Sequence, residues 1–136
     1  MSIETTRTVM NRYWSAEHGD ISMLADDVVF TLMPTGQESH GPEAVLNTLD
    51  AFYQSAFDAS AEPRMIIFDD GHAVFEGAFV GRHTGEFAGI PATGEMVRVP
   101  MCIVYDVEGK QIKRARVYFE LPVLMQQLQS TTMQTP

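Results

Sequence analysis

The spacing of apolar positions changes near residue 63, from mainly helical intervals to the alternation or continuous runs of strands, and returns to a helical stripe in the last segment. In segment 4–17, Met10, Tyr13 and Trp14 fall at i, i+3 and i+4 with Val9 beside them, which predicts a helix. Gly19 permits a stop, and Asp20 can cap a short helical turn carrying Ile21, Met23 and Leu24. Val28 to Met33 is β-branched and apolar and is closed by Pro34-Thr35-Gly36, a strand followed by a turn. Gly41-Pro42-Glu43 puts proline at a first helical position with an acidic residue at the positive end of the dipole. Val45, Leu49, Phe52 or Tyr53, Ala56 and Phe57 follow at helical spacing, giving a helix of roughly four turns.

The second half reads as strands. Met65–Phe68 is a short apolar strand, and Asp69-Asp70-Gly71 is a hairpin signal before a long strand over 72–84. A glycine-rich loop over 85–95 precedes a strand over 96–106; Glu108-Gly109 then turns the chain into a last strand over 110–120. Pro122 opens a closing helix with Leu121, Leu124, Met125 and Leu128 as its apolar stripe. The chain is thus expected to form one domain over 1–129, followed by a polar tail over 130–136. Helices segregated from an antiparallel meander make an α+β fold. Long hairpin-linked strands curl by their own twist, so the helices can close the concave side and leave one ligand cavity.

Composition narrows the function classes. At 136 residues, with 45% hydrophobic and 20% charged residues, the chain has the balance of one globular domain rather than a disordered segment. Eighteen acidic residues against nine basic ones give a net charge of −9, which repels phosphate backbones and anionic lipids. Neither nucleic acid nor a membrane is therefore expected as a partner. The one basic cluster, Lys110, Lys113, Arg114 and Arg116, reads as a solvated, salt-bridged strand. Cys102 is the only cysteine, so no internal disulfide can form. No apolar run approaches the ~20 residues of a membrane span, and the N-terminus lacks a hydrophobic signal core. Together these features predict a cytoplasmic protein. The four histidines lack metal-ligand spacing, the 85–94 loop offers no helix N-terminus for phosphate, and no nucleophile elbow appears. Neither a metal nor a cofactor is expected.

The last strand carries the candidate chemistry. Its alternation places Arg114, Arg116, Tyr118 and Glu120 on one face and Ala115, Val117 and Phe119 on the other. Either the ionisable face looks at water, or it lines the cavity and makes Glu120 a partly desolvated base. In the second case Arg116 and Tyr118 are placed to stabilise an enolate oxygen; alternatively, Arg116 neutralises Glu120 as a structural pair. Tyr13, Trp14, Phe30, Phe52 and Tyr53 lie on elements that face the sheet, as core or as walls of a pocket for a hydrophobic, ring-bearing ligand. His83 stands at the edge of the glycine-rich loop, His40 before a helix start, His72 after a hairpin and His18 near a helix end.

Several stretches resemble the SnoaL-like polyketide cyclases, or ester cyclases, of the NTF2-like superfamily. They are Gly81-Arg-His-Thr-Gly-Glu-Phe-Ala-Gly-Ile-Pro-Ala-Thr-Gly94, the turn Glu108-Gly109-Lys110-Gln111-Ile112, and Arg116-Val-Tyr-Phe-Glu120 followed by Leu124-Met-Gln-Gln-Leu128. Tyr13-Trp14, Asp26 to Phe30 and His40 to Val45 fit the same template. The resemblance implies a cone-shaped fold, a curved antiparallel sheet wrapped around N-terminal helices with one deep pocket, and a homodimer through the outer sheet face. It also implies a carboxylate base at the end of the last strand, where this chain has Glu120 and the family usually has aspartate. His83 stands where the family commonly has histidine, whereas strand 96–106 lacks the histidine that the family's cyclases place there.

Two functions follow. One is cofactor-independent acid–base cyclisation or isomerisation of a hydrophobic carbonyl compound, with Glu120 as base, Arg116 or Tyr118 as oxyanion partner, and His83 beside them. The other is non-catalytic binding of a lipophilic small molecule. Epoxide hydrolysis ranks last, because it needs two carboxylates with an arginine between them.

Overall fold

Helix α1 (Ile3–Ser15) starts where the Ser2 side chain accepts a hydrogen bond from the Thr5 N–H, and it buries Thr6, Val9, Met10 and Tyr13. The computed structural model describes residues 2–16 and 20–134, with side chains through Gln129; Gly19 and His18, read above as a helix stop and a histidine near a helix end, lie outside the described residues. Asp20 caps a 3₁₀ turn (Ile21–Met23) by accepting from the Ser22 N–H, as predicted. Strand β1 (Leu24–Leu32) begins earlier than predicted and is followed by β2 (Gln37–His40), for which Gln-Glu-Ser-His gives no apolar signal. β2 forms because β1 offers its free edge from Val29 to Leu32.

Helix α2 (Pro42–Asp50) starts after Gly41, whose φ of 89° suits glycine, and continues as a π-helical turn over Ala51–Ala56. That turn ends one residue sooner than the predicted helix, so Phe57 opens strand β3 (Phe57–Asp69) instead. Only its 65–68 portion was predicted, since residues 58–64 are mostly polar and include a proline, as suits an edge strand. β4 (His72–His83), β5 (Met96–Glu108), β6 (Gln111–Phe119) and α3 (Leu121–Gln134) complete the fold.

The six strands form one curved sheet in the order β2-β1-β6-β5-β4-β3. The meander from β3 to β6 is antiparallel as predicted, whereas β1 lies parallel to β6, with Phe30 opposite Ala115. The bend has a local cause on β4. A Cβ on Gly77 would lie 2.1 Å from the Glu62 carbonyl oxygen, and one on Gly81 would lie 2.4 Å from the Ala59 Cβ, so only glycine lets β3 come this close. A bulge between Pro63 and Met65 adds twist at the same place. α1 is pinned to the far hairpin through buried Thr6, whose hydroxyl accepts from the Gly71 N–H at 2.9 Å. At the other end α3 buries Leu124 and Leu128. Its Gln127 amide meets the Arg98 N–H at 3.0 Å and the Arg98 carbonyl at 2.8 Å, just beyond where β6 ends.

Candidate functional site

The helices and the concave face of the sheet enclose a cavity of about 490 Å³. Strand parity decides its wall: Phe75 and Phe79 from β4, Met101, Ile103 and Tyr105 from β5, and Val117 and Phe119 from β6 all point inward. Phe30 and Leu32 from β1, Tyr13 and Trp14 from α1, and Val45, Leu49, Phe52 and Tyr53 from α2 and its π-helical extension close it. Tyr105 is the hub of one end, its ring 5.8 Å from Trp14, 6.1 Å from Tyr13 and 6.3 Å from Phe30.

The polar lining consists of the phenols of Tyr13, Tyr53 and Tyr105, the Trp14 indole, and the hydroxyls of Ser39, Thr48 and Ser60. Ser39 and Thr48 hydrogen bond to each other at 2.7 Å. No Asp, Glu, Lys, Arg or His belongs to the described lining. Burial pushes the Tyr53 phenol up to about 12, and drives Tyr13 and Tyr105 well above the usual tyrosine value; neighbouring phenols add to both shifts. At neutral pH all three are protonated hydrogen-bond donors in an uncharged chamber.

The five aromatics singled out in the sequence, Tyr13, Trp14, Phe30, Phe52 and Tyr53, all lie on this wall. Sequence reasoning missed Tyr105, Phe75 and Phe79. Tyr105 stands in phase with Met101 and Ile103 on β5, but parity alone does not say which phase is inside.

The same parity decides between the two readings of β6. Arg116, Tyr118 and Glu120 do not line the cavity. Burying Ala115, Val117 and Phe119 against the helices removes apolar area from water, and the period of two then turns the ionisable stripe outward. Arg116 pairs with Asp106 through two hydrogen bonds of 2.8 and 3.2 Å, not with Glu120. Those bonds hold the Asp106 carboxyl below the usual aspartate range, and His72 Nδ1 adds a contact at 3.0 Å. Tyr118 is 45% exposed. Glu120 is exposed beside Pro100, and its carbonyl accepts from the Val123 and Leu124 N–H groups as α3 begins. In the basic cluster, Lys113 is paired with Asp27 at 2.8 Å. His40 lies on the surface, 2.9 Å from Glu38.

His83 differs from the other described histidines in being fully buried. It shares the concave row of β4 with Phe75 and Phe79, and its ring lies 5.1 Å from that of Phe57, the residue opposite it on β3. Its Nδ1 accepts from the Thr93 N–H at 3.1 Å and lies 3.0 Å from the Thr93 hydroxyl. Its backbone bonds Glu95 and Gly94, so this residue fastens the base of the 84–95 loop. Nε2 is buried without a hydrogen-bond partner among the described residues, a situation that costs about 1–3 kcal/mol.

The wider likeness agrees with this architecture. Solved structures share the fold. A candidate polyketide cyclase from Xanthomonas campestris pv. campestris is 22% identical with a TM-score of 0.80, over 92% of this chain and 97% of that one. A candidate SnoaL-like polyketide cyclase from Jannaschia sp. CCS1 is 18% identical with a TM-score of 0.77, over 93% and 90%. A protein with a ketosteroid isomerase-like fold from Catenulispora acidiphila DSM 44928, in complex with trimethylamine, is 16% identical with a TM-score of 0.72, over 96% and 99%. No curated protein matches in sequence. The family model of the SnoaL-like polyketide cyclases matches residues 4–128, from the first turn of α1 to the last buried leucine of α3, and the chain belongs to that family.

Proposed function

We propose that the protein binds a neutral, lipophilic, ring-bearing molecule inside the cone and holds an oxygen atom of it through protonated phenols. The carrying observation is the roughly 490 Å³ cavity whose described lining contains aromatic, aliphatic and hydroxyl groups but no charge. A charged ligand would shed its hydration there without meeting a counter-charge. A carbonyl oxygen, in contrast, meets Tyr13, Tyr53 and Tyr105 as donors. The trimethylamine complex of the Catenulispora protein is one instance of small-ligand binding by this fold. The test is a fluorescence titration with the neutral ketone dye acedan, a dimethylamino-acetylnaphthalene. Saturable, stoichiometric binding with blue-shifted emission is expected; absence of saturable binding overturns the proposal.

Membership of a cyclase family favours a second reading, cofactor-independent cyclisation or isomerisation of a hydrophobic carbonyl compound. The cavity phenols would stabilise the enolate oxygen while a carboxylate removes the carbon-bound proton. For Glu120 to be that base, supported by Arg116 or Tyr118, the end of β6 must turn its side chain inward on ligand binding. Turnover that vanishes in Glu120→Gln while the fold survives supports this assignment, and retained turnover rejects it.

A homodimer through the outer sheet face belongs to the same proposal. Met65 and Ile67 stand 47% and 48% exposed on that face, and Ile67 shares a row with Arg116 through Val74 and Val104. Sedimentation of the wild type as a dimer and of Ile67→Arg as a monomer is expected. The lone cysteine accords with a reducing cytoplasm, and no described helix is long and apolar enough to cross a membrane.

A further inference from the structure

We infer that His83 is a concealed second anchor of the ligand site, donating from Nε2 to an acceptor oxygen of a ligand that displaces Phe87. This rests on the cavity being a ligand site, as proposed above. The tautomer follows from geometry: Nδ1 accepts from the Thr93 N–H, so the neutral ring carries its proton on Nε2. That N–H is buried and unpartnered among the described residues, and such groups are rare unless something else satisfies them. It sits in the inward row of β4, beyond Phe79, which is itself part of the cavity wall.

A chain of aromatic rings links His83 to the cavity wall. Phe57 stacks near His83 at 5.1 Å and touches Phe87 at 5.4 Å, and Phe87 touches the cavity residue Phe52 at 5.7 Å. Phe87 is half-buried at the tip of the 84–95 loop, in a small hairpin closed with Ile90 and turned by Ala88 and Gly89, both at positive φ. The base of that loop is held firmly: Thr84 and Gly85 donate to the Ala56 carbonyl, and Arg82 donates to the Gly94 carbonyl at 2.7 Å. The tip has its own two backbone bonds, so it can swing outward as a unit and leave His83 in place.

The test uses 2,6-diacetylnaphthalene, whose two carbonyl oxygens lie at opposite ends and can meet the phenols and His83 at once, and 2-acetylnaphthalene, which has one, with nitrogen–proton correlation spectra of the wild-type imidazoles; the His83 signal is identified by its loss in His83→Gln. Free protein should show His83 as the Nε2–H tautomer. The diketone should move the Nε2–H resonance downfield, and the monoketone should bind without moving it. In His83→Phe the preference for diketone over monoketone should fall roughly 5-fold, while Phe87→Ala should speed diketone association several-fold. A free-state proton on Nδ1, or saturable diketone binding with the Nε2–H resonance unmoved, overturns the inference and leaves the cavity proposal standing. If neither ketone binds, both fall.

Discussion

The two faces of the sheet have been given opposite chemistry by the same strands. On β6 the inward residues are Ala115, Val117 and Phe119, while the outward ones are Arg114, Arg116, Tyr118 and Glu120. β5 repeats the division, with Met101, Ile103 and Tyr105 inside and Asp106 outside, bonded to Arg116. Inside, polar function is carried by groups that remain neutral when dehydrated: phenols, hydroxyls and an indole. Outside, charges are kept where water and partners can stabilise them. Burying a charge without a partner is expensive, whereas burying a phenol only raises its pKa. The acid–base hardware read from the last strand therefore ended up on the solvated side.

That contrast can be tested by matched substitutions. The largest effect is expected inside: Phe79→Ala, at a fully buried ring touching Tyr53, Phe57 and Phe119, should cost about 3–5 kcal/mol in chemical denaturation. The same truncation at half-exposed Tyr118 should stay within about 0.5 kcal/mol of wild type. A Tyr118 loss as large as that of Phe79 would break the comparison.

Next comes Asp106→Ala, which removes the two hydrogen bonds between Arg116 and Asp106 on the outer face. A loss of about 1 kcal/mol is expected at neutral pH, because Arg116 remains partly solvated. The folded Asp106 carboxyl titrates below its unfolded value. Its contribution is thus complete above the unfolded pKa of about 3.9 and is lost as pH falls through the lower folded value. The gap between wild type and Asp106→Ala should close over that acid range, as followed by denaturation midpoints; a constant gap would show that packing, not charge, sets it.

Tyr105→Phe should cost about 1 kcal/mol, because the Trp14 indole N–H loses its acceptor, and weaken acedan roughly 5-fold through loss of one phenol donor. The smallest effect is expected for Glu120→Gln, with acedan affinity and denaturation midpoint both unchanged within error. A clear loss of binding there would mean that the carboxylate reaches the cavity after all.

Much of this was legible beforehand. The caps at Asp20 and Pro42, the hairpins at Gly71 and Gly109, and the apolar stripes of α1 and α3 are local signals, and each marks its element. Tyr13, Trp14, Phe52 and Tyr53 were legible as inward-facing because helical periodicity reports which side of a helix is apolar, and Phe30 was marked by the apolar run of β1. β2 and the first half of β3 were not legible, since an edge strand takes its order from a neighbour's backbone rather than from its own side chains. His83 could be marked only as a loop-edge residue; its burial depends on Phe57, which pairs opposite it, and on Thr93, ten residues further along.

The sequence alone determined the family, the order of helices and strands, and the alternation that splits β6 into an apolar and an ionisable face. Only the tertiary structure decided which of those faces looks into the cone. Alternation is symmetric about the strand, so its two faces become distinct only once helices cover one of them, and the covered face is the one whose burial releases the most apolar surface from water.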